Sequence, residues 1–242
     1  MVHTLPDYTS KWKNKTISNM VDNGELAIRL GGINTYDRRG NVMWLDEFED
    51  GINKWNTGGN GLGNAVTISA AASMTKASSA KMVTGSTGTF NAQMYVYRAL
   101  PVLGKIGHEL SFTFDNDMTE IDINLNIRSG LVIYTAGLKL DHANDRIQYL
   151  DLNGVYQDLL TAINWQHATY NFATLKLVAD FANNTYERLI FRDTETDMSA
   201  YALRNALAAN EQRWEYFINC TGTNGNNATC YVDNVIITQN EV

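Results

Sequence analysis

The sequence has few of the residues that interrupt or cross-link a chain. Its 242 residues include two prolines and two cysteines. Two cysteines are too few for a disulfide scaffold or for a zinc site built from Cys-x-x-Cys pairs. The low proline count argues against a collagen-like or disordered chain. Apolar residues make up 44% and charged residues 19%, which is ordinary globular composition.

Positive charge and long apolar runs are also scarce. Nineteen Lys and Arg residues stand against 26 Asp and Glu residues, giving a net charge of −7, whereas a nucleic-acid partner needs a basic face. No run approaches the roughly 18 apolar residues of a membrane helix. The opening MVHTLPDYTSKWK has no apolar signal core. We therefore expect no nucleic-acid partner, no membrane partner, and a mature chain that begins at Met1.

Residues 165–192 give the clearest structural signal. Apolar side chains occupy every second position of residues 175–181, as in a strand with one buried face. Residues 182–185 are small or Asx residues that suit a tight turn, and residues 186–192 return with aromatic and branched side chains. This pattern predicts one long β-hairpin.

Short segments with the same alternation recur from residue 65 to residue 238. A parallel sheet buried on both faces would instead give continuous apolar runs. The spacing predicts a β-sandwich of two antiparallel sheets. Two segments are exceptions: we expect a turn at the glycine-rich residues 58–63, and a loop with at most two or three helical turns at residues 197–209.

Three stretches resemble one fold family. The hairpin sequences LKLVAD at residues 175–180 and YERLI at residues 186–190 resemble the late hairpin of concanavalin-like jelly rolls. Legume lectins, laminin-G-like modules and laminarinase-type glucanases share that fold. WLDEFEDGINKW at residues 44–55 and ATCYVDNVIIT at residues 228–238 resemble its first and last strands. The resemblance implies one all-β jelly-roll domain over residues 45–242.

Residues 119–124, TEIDIN, resemble the catalytic strand of laminarinase-type glucanases. In those enzymes three carboxylates at alternate positions act as nucleophile, helper and general acid. Glu120 and Asp122 match the first two positions, but Asn124 occupies the third, and an amide cannot donate and recover a proton. No Gly-x-Ser-x-Gly elbow is present either. We therefore predict a non-enzymatic protein, with a glucanase as a remote alternative.

The family resemblance also implies a structural calcium ion between the first and last strands, held by hard oxygen ligands. Glu47 and Glu49, beside Asp50, match one side of that arrangement, and Asp233 matches the other. The alternative is that these acidic residues form an exposed strand start. Calcium would stabilise the fold, and no cofactor is required for catalysis.

Aromatic rings that could stack on a sugar are a further feature. We single out Trp55, Tyr134 and Trp165, because rings stack on sugar faces while amides bond to hydroxyl groups. The alternative is that these rings belong to the core of the sandwich.

The two cysteines, Cys220 and Cys230, flank the loop at residues 221–229 on predicted neighbouring strands. A cross-strand disulfide there could contribute about 2–3 kcal/mol. In a reducing compartment both would stay thiols. The sequence leaves the two states open.

Residues 1–44 differ from the rest of the chain. Basic residues concentrate there, alternation is short, and the apolar surface is too small to fold alone. We predict an extended N-terminal arm that packs either on its own domain or on a neighbouring subunit. Its candidate partner-binding residues are Trp12, Ile28, Leu30, Tyr36, Arg38 and Arg39.

The junction RLGGINTYDRRG at residues 29–40, followed by LDEFEDG, resembles the opening of jelly-roll proteins associated with tailed-phage particles. That resemblance implies a virion decoration or accessory capsid protein, made in the host cytoplasm. Its partners would be protein subunits of a homo-oligomer or capsid lattice. The alternative is an extracellular carbohydrate-binding module or adhesin whose partner is a glycan.

Overall fold

A computed structural model describes residues 36–37, 39–86, 91–99, 102–165, 171–223 and 227–242. Within these residues the chain forms strands, turns and a 3-10 turn at His142–Asn144. No helix of these residues is long and apolar enough to cross a membrane. The strands are, in chain order, β1 (Asn41–Asp46), β2 (Asn56–Asn60), β3 (Ala65–Ser69), β4 (Ser79–Val83), β5 (Asn91–Ala99), β6 (Lys105–Phe114), β7 (Met118–Asp141), β8 (Arg146–Leu150), β9 (Tyr156–Thr161), β10 (Ala173–Asp180), β11 (Thr185–Phe191), β12 (Thr194–Asp197), β13 (Arg204–Gly222) and β14 (Thr229–Gln239).

The strands form two antiparallel sheets. The eight-stranded sheet has the order β12-β11-β10-β6-β14-β4-β3, with β1 also paired to β14. The six-stranded sheet has the order β2-β5-β13-β7-β8-β9. Buried side chains of both sheets form one hydrophobic core. This architecture confirms the predicted jelly-roll β-sandwich.

The predicted alternation of β7 positions the core. Four of its apolar side chains are buried as expected: Ile121, Ile123, Leu125 and Ile127. Burying each one stabilises the fold by roughly 1.5–3 kcal/mol. His108 of β6 lies in the same core, 5.1 Å from the ring of Tyr216. Burial lowers the pKa of His108 to about 3, so His108 is a neutral core residue.

Long strand β7 reverses direction near Gly130, which has a φ of +64°. Thr135 donates a hydrogen bond to Asn126 at 2.8 Å, and Lys139 bonds to Glu120 at 2.8 Å. The two halves of β7 therefore lie side by side, and their polar side chains share one surface.

Two segments differ from their predictions. β2 overlaps the stretch predicted as a turn, and it pairs with β5 because its glycines permit a close approach; a Cβ on Gly59 would lie 2.4 Å from the carbonyl oxygen of Asn91. Residues 204–209 begin β13 instead of forming a loop or helical turns, and Arg204 pairs with Thr135. Cross-strand pairing there outweighs the helix propensity of alanine and leucine.

The predicted boundary between residues 44 and 45 falls inside β1. This strand pairs with β14 from Asn41 onward, so the folded body begins earlier than predicted. Tyr36 and Arg39 belong to the described part of the predicted arm. The predicted strand at residues 167–172 falls mostly outside the described residues. The remaining arm residues also lie outside them: Trp12, Ile28, Leu30 and Arg38.

Candidate functional site

The outer surface of the six-stranded sheet carries a row of polar and aromatic side chains. Because side chains alternate along a strand, the residues between the buried isoleucines of β7 point away from the core. Strand register then places β13 and β5 residues beside them. We call this surface the polar face, defined by Tyr95, Tyr97, Glu120, Asp122, Asn124, Asn126, Glu215, Phe217 and Asn219.

Three aromatic rings form one side of the polar face. The rings of Tyr95 and Phe217 stack with centroids 5.1 Å apart and an interplanar angle of 17°. Tyr97 lies 6.5 Å from Tyr95 and is 47% exposed. The guanidinium of Arg213 lies 5.1 Å from the centre of the Tyr97 ring. Nearly coplanar rings on an open surface offer a platform for a flat apolar molecule, such as one face of a sugar ring.

Hydrogen-bonding groups lie next to this platform. Asn124 and Asp122 are directly opposite Phe217 and Asn219 in the strand register. Lys139 Nζ lies 3.7 Å from Oδ1 of Asp122, and Asp122 forms side-chain hydrogen bonds with Asn219 and Tyr156. The Tyr156 hydroxyl also contacts Asn124. These polar side chains therefore form one connected network beside the rings.

The small residue Gly137 makes room beside Asn124. A Cβ at Gly137 would lie 2.4 Å from Asn124 Oδ1 and 3.1 Å from the Cβ of Leu150. A larger residue would thus displace the Asn124 amide. The glycine keeps that amide in place on the polar face.

The acidic residues of the predicted catalytic strand are already engaged. Lys139 Nζ lies 2.8 Å from Glu120 and 3.7 Å from Asp122. The Tyr156 ring centre lies 4.7 Å from the same ammonium. Burial raises the pKa of Asp122, and Lys139 opposes that shift.

Tyr156 is not suited to act as a base. Burial and the nearby Asp122 carboxylate raise the pKa of its phenol well above the usual value, so the hydroxyl stays protonated. With the amide at Asn124, the three positions of the predicted catalytic strand carry two carboxylates and one amide.

The aromatic residues singled out from the sequence lie elsewhere. Trp55 is 6% exposed and donates from Nε1 to Asp46 at 2.9 Å. Trp165 is 5% exposed and packs on Phe114. Tyr134 is half-buried against the core. The positions of Trp55 and Trp165 correct the prediction that they are sugar platforms, because a ring packed in the core presents no face to a ligand. The role predicted for Tyr134 stays a prediction.

The platform residues had a signal in the sequence. In β5, Tyr95 and Tyr97 alternate with the buried residues Met94 and Val96. Aromatic residues are common in strands, but neighbouring aromatic rings at outward positions form a contiguous patch of the kind that marks a binding surface. Phe217 follows the same rule in β13, between buried Tyr216 and Ile218. Choosing aromatic residues at the outward positions of alternating strands would have favoured Tyr95, Tyr97 and Phe217 over the tryptophans.

The predicted calcium ligands come together around residues 74–78. Glu49 accepts hydrogen bonds from the backbone amides of residues 77 and 78 at 3.0 and 2.8 Å. Asp233 accepts from those of residues 74 and 75 at 2.8 and 3.1 Å. Glu47 forms an ion pair with Lys76.

These residues do not fit a calcium site. Within the described residues, no group of three His, Cys, Asp or Glu side chains could hold a metal ion. The ammonium of Lys76 supplies positive charge beside Glu47, Glu49 and Asp233. Burial raises the pKa of Asp233 to about 6.

The two cysteines are unbonded and buried. Cys220 belongs to the six-stranded sheet and Cys230 to the eight-stranded sheet. A hydrogen bond with Cys230 raises the pKa of Cys220, and burial raises it further. The thiols are therefore neighbours across the sandwich, and a disulfide between them stays a prediction.

A buried ionic cluster lies on the outer side of the eight-stranded sheet. Lys176 lies between the alternating apolar residues of β10, yet its side chain is 0% exposed. It lies 2.7 Å from Glu241 and 3.1 Å from Asp37. Arg188 completes the cluster, 2.6 Å from Glu241.

The cluster fixes the base of the predicted arm. Arg39 bridges Asp37 at 3.0 Å and Glu195 at 2.7 Å. An open cavity of about 400 Å³ borders these groups, lined by Arg39, Glu187, Arg188, Glu195, Asp197 and Val242. Arg39, predicted to bind a partner, is thus engaged within its own chain.

Comparison with known proteins identifies the fold class. No protein-family profile and no curated protein matches the chain. A sialidase structure matches 84% of this chain at a TM-score of 0.55 and 12% identity, although the chain spans only 19% of the sialidase. An endo-β-1,4-glucuronan lyase from the fungus Trichoderma reesei matches 81% of this chain and 95% of its own length, at a TM-score of 0.53 and 11% identity.

A family 16 carbohydrate-binding module matches 82% of this chain and 100% of its own, at a TM-score of 0.41 and 15% identity. At such low identities the similarity shows the fold alone. The chain has the concanavalin-like jelly-roll fold.

Proposed function

We propose that this protein binds a carbohydrate chain on the polar face and does not cleave it. One observation carries the proposal: the stacked rings of Tyr95 and Phe217 lie in the same rows of the sheet surface as the polar side chains of Asn124 and Asn219. Rings cover the apolar C–H face of a sugar, and neighbouring amides bond to its hydroxyl groups.

The strand register supports a ligand longer than one sugar. Tyr95, Phe217 and Asn124 lie in one row on three adjacent strands. Neighbouring strands are about 4.8 Å apart, so the row extends over about 10 Å. A row that runs along a sheet surface suits the side of a polysaccharide chain rather than its end.

The test is affinity electrophoresis of the full chain through gels that contain soluble neutral polysaccharides. We expect at least one polysaccharide to retard the protein, and Phe217→Ala or Tyr95→Ala to weaken binding about tenfold by removing the platform. Val102→Ala is the control, because Val102 is 72% exposed and precedes a strand of the other sheet. Failure of every polysaccharide to retard the protein, or unchanged binding by both ring variants, would contradict the proposal.

The absence of cleavage is part of the proposal. Glu120 is paired with Lys139, and the third position of the motif is an amide, so the proton-transfer groups of a glycosidase are incomplete. Incubation with each retarding polysaccharide should release no reducing ends. Release that disappears in Glu120→Gln would overturn this part of the proposal.

A second candidate is an accessory or decoration subunit of a virus particle, in which the N-terminal arm binds neighbouring subunits. The ion pairs of Asp37 and Arg39 favour it, because they anchor the base of the arm on the sheet opposite the polar face. A deletion of residues 1–35 keeps this anchor, whereas a deletion of residues 1–44 would remove part of β1.

Light scattering coupled to size exclusion tests this candidate. We expect the full chain to form a larger assembly than the chain lacking residues 1–35. Equal masses for the two chains would count against a role of the arm in assembly.

A further inference from the structure

We infer that the carbohydrate site extends from the rings onto the edge strand β2, where the amides of Asn56 and Gln93 bond to hydroxyl groups of the ligand. The inference rests on the proposed function of the polar face. It adds two binding residues to that face, and it gives the direction of the site, which runs from Phe217 toward β2 and away from β9.

Strand register continues the row of rings onto β2. Asn56 is directly opposite Tyr95, and Tyr95 is directly opposite Phe217. Directly opposite residues of an antiparallel pair have their side chains on the same side of the sheet, and Asn56 is exposed. The row that begins at Asn124 therefore crosses four strands. Since neighbouring strands are about 4.8 Å apart, it spans about 14 Å.

A second amide lies beside this row. Gln93 shares the outward side of β5 with Tyr95, and it is directly opposite Asn219 on β13 and Gly58 on β2. A Cβ at Gly58 would lie 3.1 Å from Gln93 Nε2, so the Gln93 amide occupies space that a side chain at position 58 would take. An amide has both donors and an acceptor, which suits the hydroxyl groups of a sugar.

The side of the polar face toward β9 is covered by a tyrosine of the chain itself. Tyr156 belongs to β9, yet its hydroxyl forms a hydrogen bond with Asp122 and contacts Asn124, both in the part of β7 that precedes its turn. The Tyr156 side chain therefore spans the surface of the strands between them. Its ring also covers the ammonium of Lys139, 4.7 Å from the ring centre. A ligand on this side would have to displace Tyr156.

The outer strands on that side are held by their own polar contacts. Arg146 lies 2.7 Å from Asp141 and 3.0 Å from Asp158. Gln148 donates a hydrogen bond to Asp158 at 2.8 Å. A ligand that bonded to these groups would have to break contacts that already exist, and the gain in binding would be small.

The polar groups at the Tyr97 end are engaged as well. Tyr97 is directly opposite Glu215, which accepts hydrogen bonds from Arg128 at 2.9 Å and Arg213 at 2.6 Å. The Arg213 guanidinium lies on the Tyr97 ring, and the exposed Arg98 donates to the Tyr97 carbonyl oxygen at 2.7 Å. The β2 side is therefore the direction in which the ring row meets amides outside these networks.

Alanine variants of the two amides test the inference, by affinity electrophoresis of the full chain in a polysaccharide that retards the wild type. Asn56→Ala and Gln93→Ala should each weaken binding about fivefold, because each removes a group that bonds to a sugar hydroxyl. Thr57→Ala is the matched control. Thr57 is an exposed residue of the same strand, but alternation directs its side chain to the other side of the sheet, so its variant should bind as the wild type does.

Asp158→Asn tests the opposite side of the face. The Asp158 side chain is 46% exposed on β9, and this variant should bind as the wild type does. Unchanged binding by Asn56→Ala and Gln93→Ala, with binding lost in Phe217→Ala, would overturn this inference and leave the proposed function standing. Weaker binding by Asp158→Asn than by Asn56→Ala would also overturn it. Failure of every polysaccharide to retard the wild type would contradict the proposed function itself.

Discussion

At the scale of single residues, Lys176 shows how this chain uses buried charge. Its ammonium has no exposed surface and lies between Glu241 and Asp37, where it also donates to the carbonyl oxygen of Arg39 at 2.9 Å. A buried charge is tolerated only when it is paired and hydrogen-bonded. The lysine therefore joins the C-terminal segment and residues 37–39 to β10.

Removing that ammonium should be costly. Lys176→Met would leave the carboxylates of Asp37 and Glu241 buried with one cation fewer, which costs about 3–5 kcal/mol of unfolding free energy. Urea denaturation measures this directly. Lys105→Met is the control: its partner Glu187 lies at 3.1 Å, but the pair is partly exposed and should contribute less than about 1 kcal/mol. Equal losses of unfolding free energy in Lys176→Met and Lys105→Met would contradict the claim that Lys176 neutralises buried carboxylates.

The pKa of Asp37 gives a pH-dependent prediction. Burial alone would raise it, but Lys176 and Arg39 outweigh burial and lower the pKa of Asp37 from 3.8 to about 2. A lowered carboxyl pKa stabilises the protein above the unfolded value, and that contribution is lost as the pH falls from about 4 to 2. It amounts to about 2 kcal/mol. Asp37→Asn should therefore show a flatter loss of stability over this pH range.

Urea unfolding at a series of pH values checks this expectation. The exposed carboxyl variant Asp50→Asn should keep the wild-type slope. If the unfolding free energy of Asp37→Asn falls with pH at the same slope as that of the wild type, Asp37 is not the cause of the loss of stability.

At the scale of elements, the junction of β1, β14 and residues 74–78 has a lysine among the residues for which the family resemblance implied calcium. Glu47 and Asp233 both reach this segment. Lys76 supplies a cation beside them. Lys76 has a φ of +56°, an unfavourable conformation for a residue other than glycine, and its ion pair with Glu47 is consistent with a local role that offsets the strain.

We expect this junction to be independent of metal. The melting temperature of the wild-type protein should be the same in millimolar CaCl₂ and in EDTA. Lys76→Met should melt at a lower temperature, because three carboxylates would lose their counter-charge, whereas Lys76→Arg should keep most of the stability. A calcium-dependent rise in the wild-type melting temperature would contradict this account.

Strand alternation predicted most elements because it reports burial directly. Strands β7 and β10 could be predicted because apolar residues occupy every second position in their sequences. β2 was missed because its glycines carry no alternation, and its existence depends on pairing with β5. Residues 204–209 were missed because local helix propensity conflicts with pairing to a strand 70 residues earlier.

At the scale of the whole molecule, the two sheets have different outer surfaces. The outer side of the eight-stranded sheet is closed by residues 37–39 and the C-terminal segment through Lys176 and Glu241. Among the described residues, no ion pair of this kind joins either terminal segment to the polar face of the six-stranded sheet, where Tyr97 is 47% exposed. This asymmetry could not be predicted from single strands, because it depends on which distant segments cover each sheet. It explains why the polar face is the better candidate for binding.

The most direct test of the account is hydroxyl-radical footprinting of the protein with and without a saturating neutral polysaccharide. We predict protection of Tyr95, Tyr97 and Phe217, whose rings form the platform. Reactivity of residues on the outer side of the eight-stranded sheet should stay unchanged. Protection confined to that opposite sheet, or no protection of the three rings under saturating conditions, would contradict the central claim that the polar face binds carbohydrate.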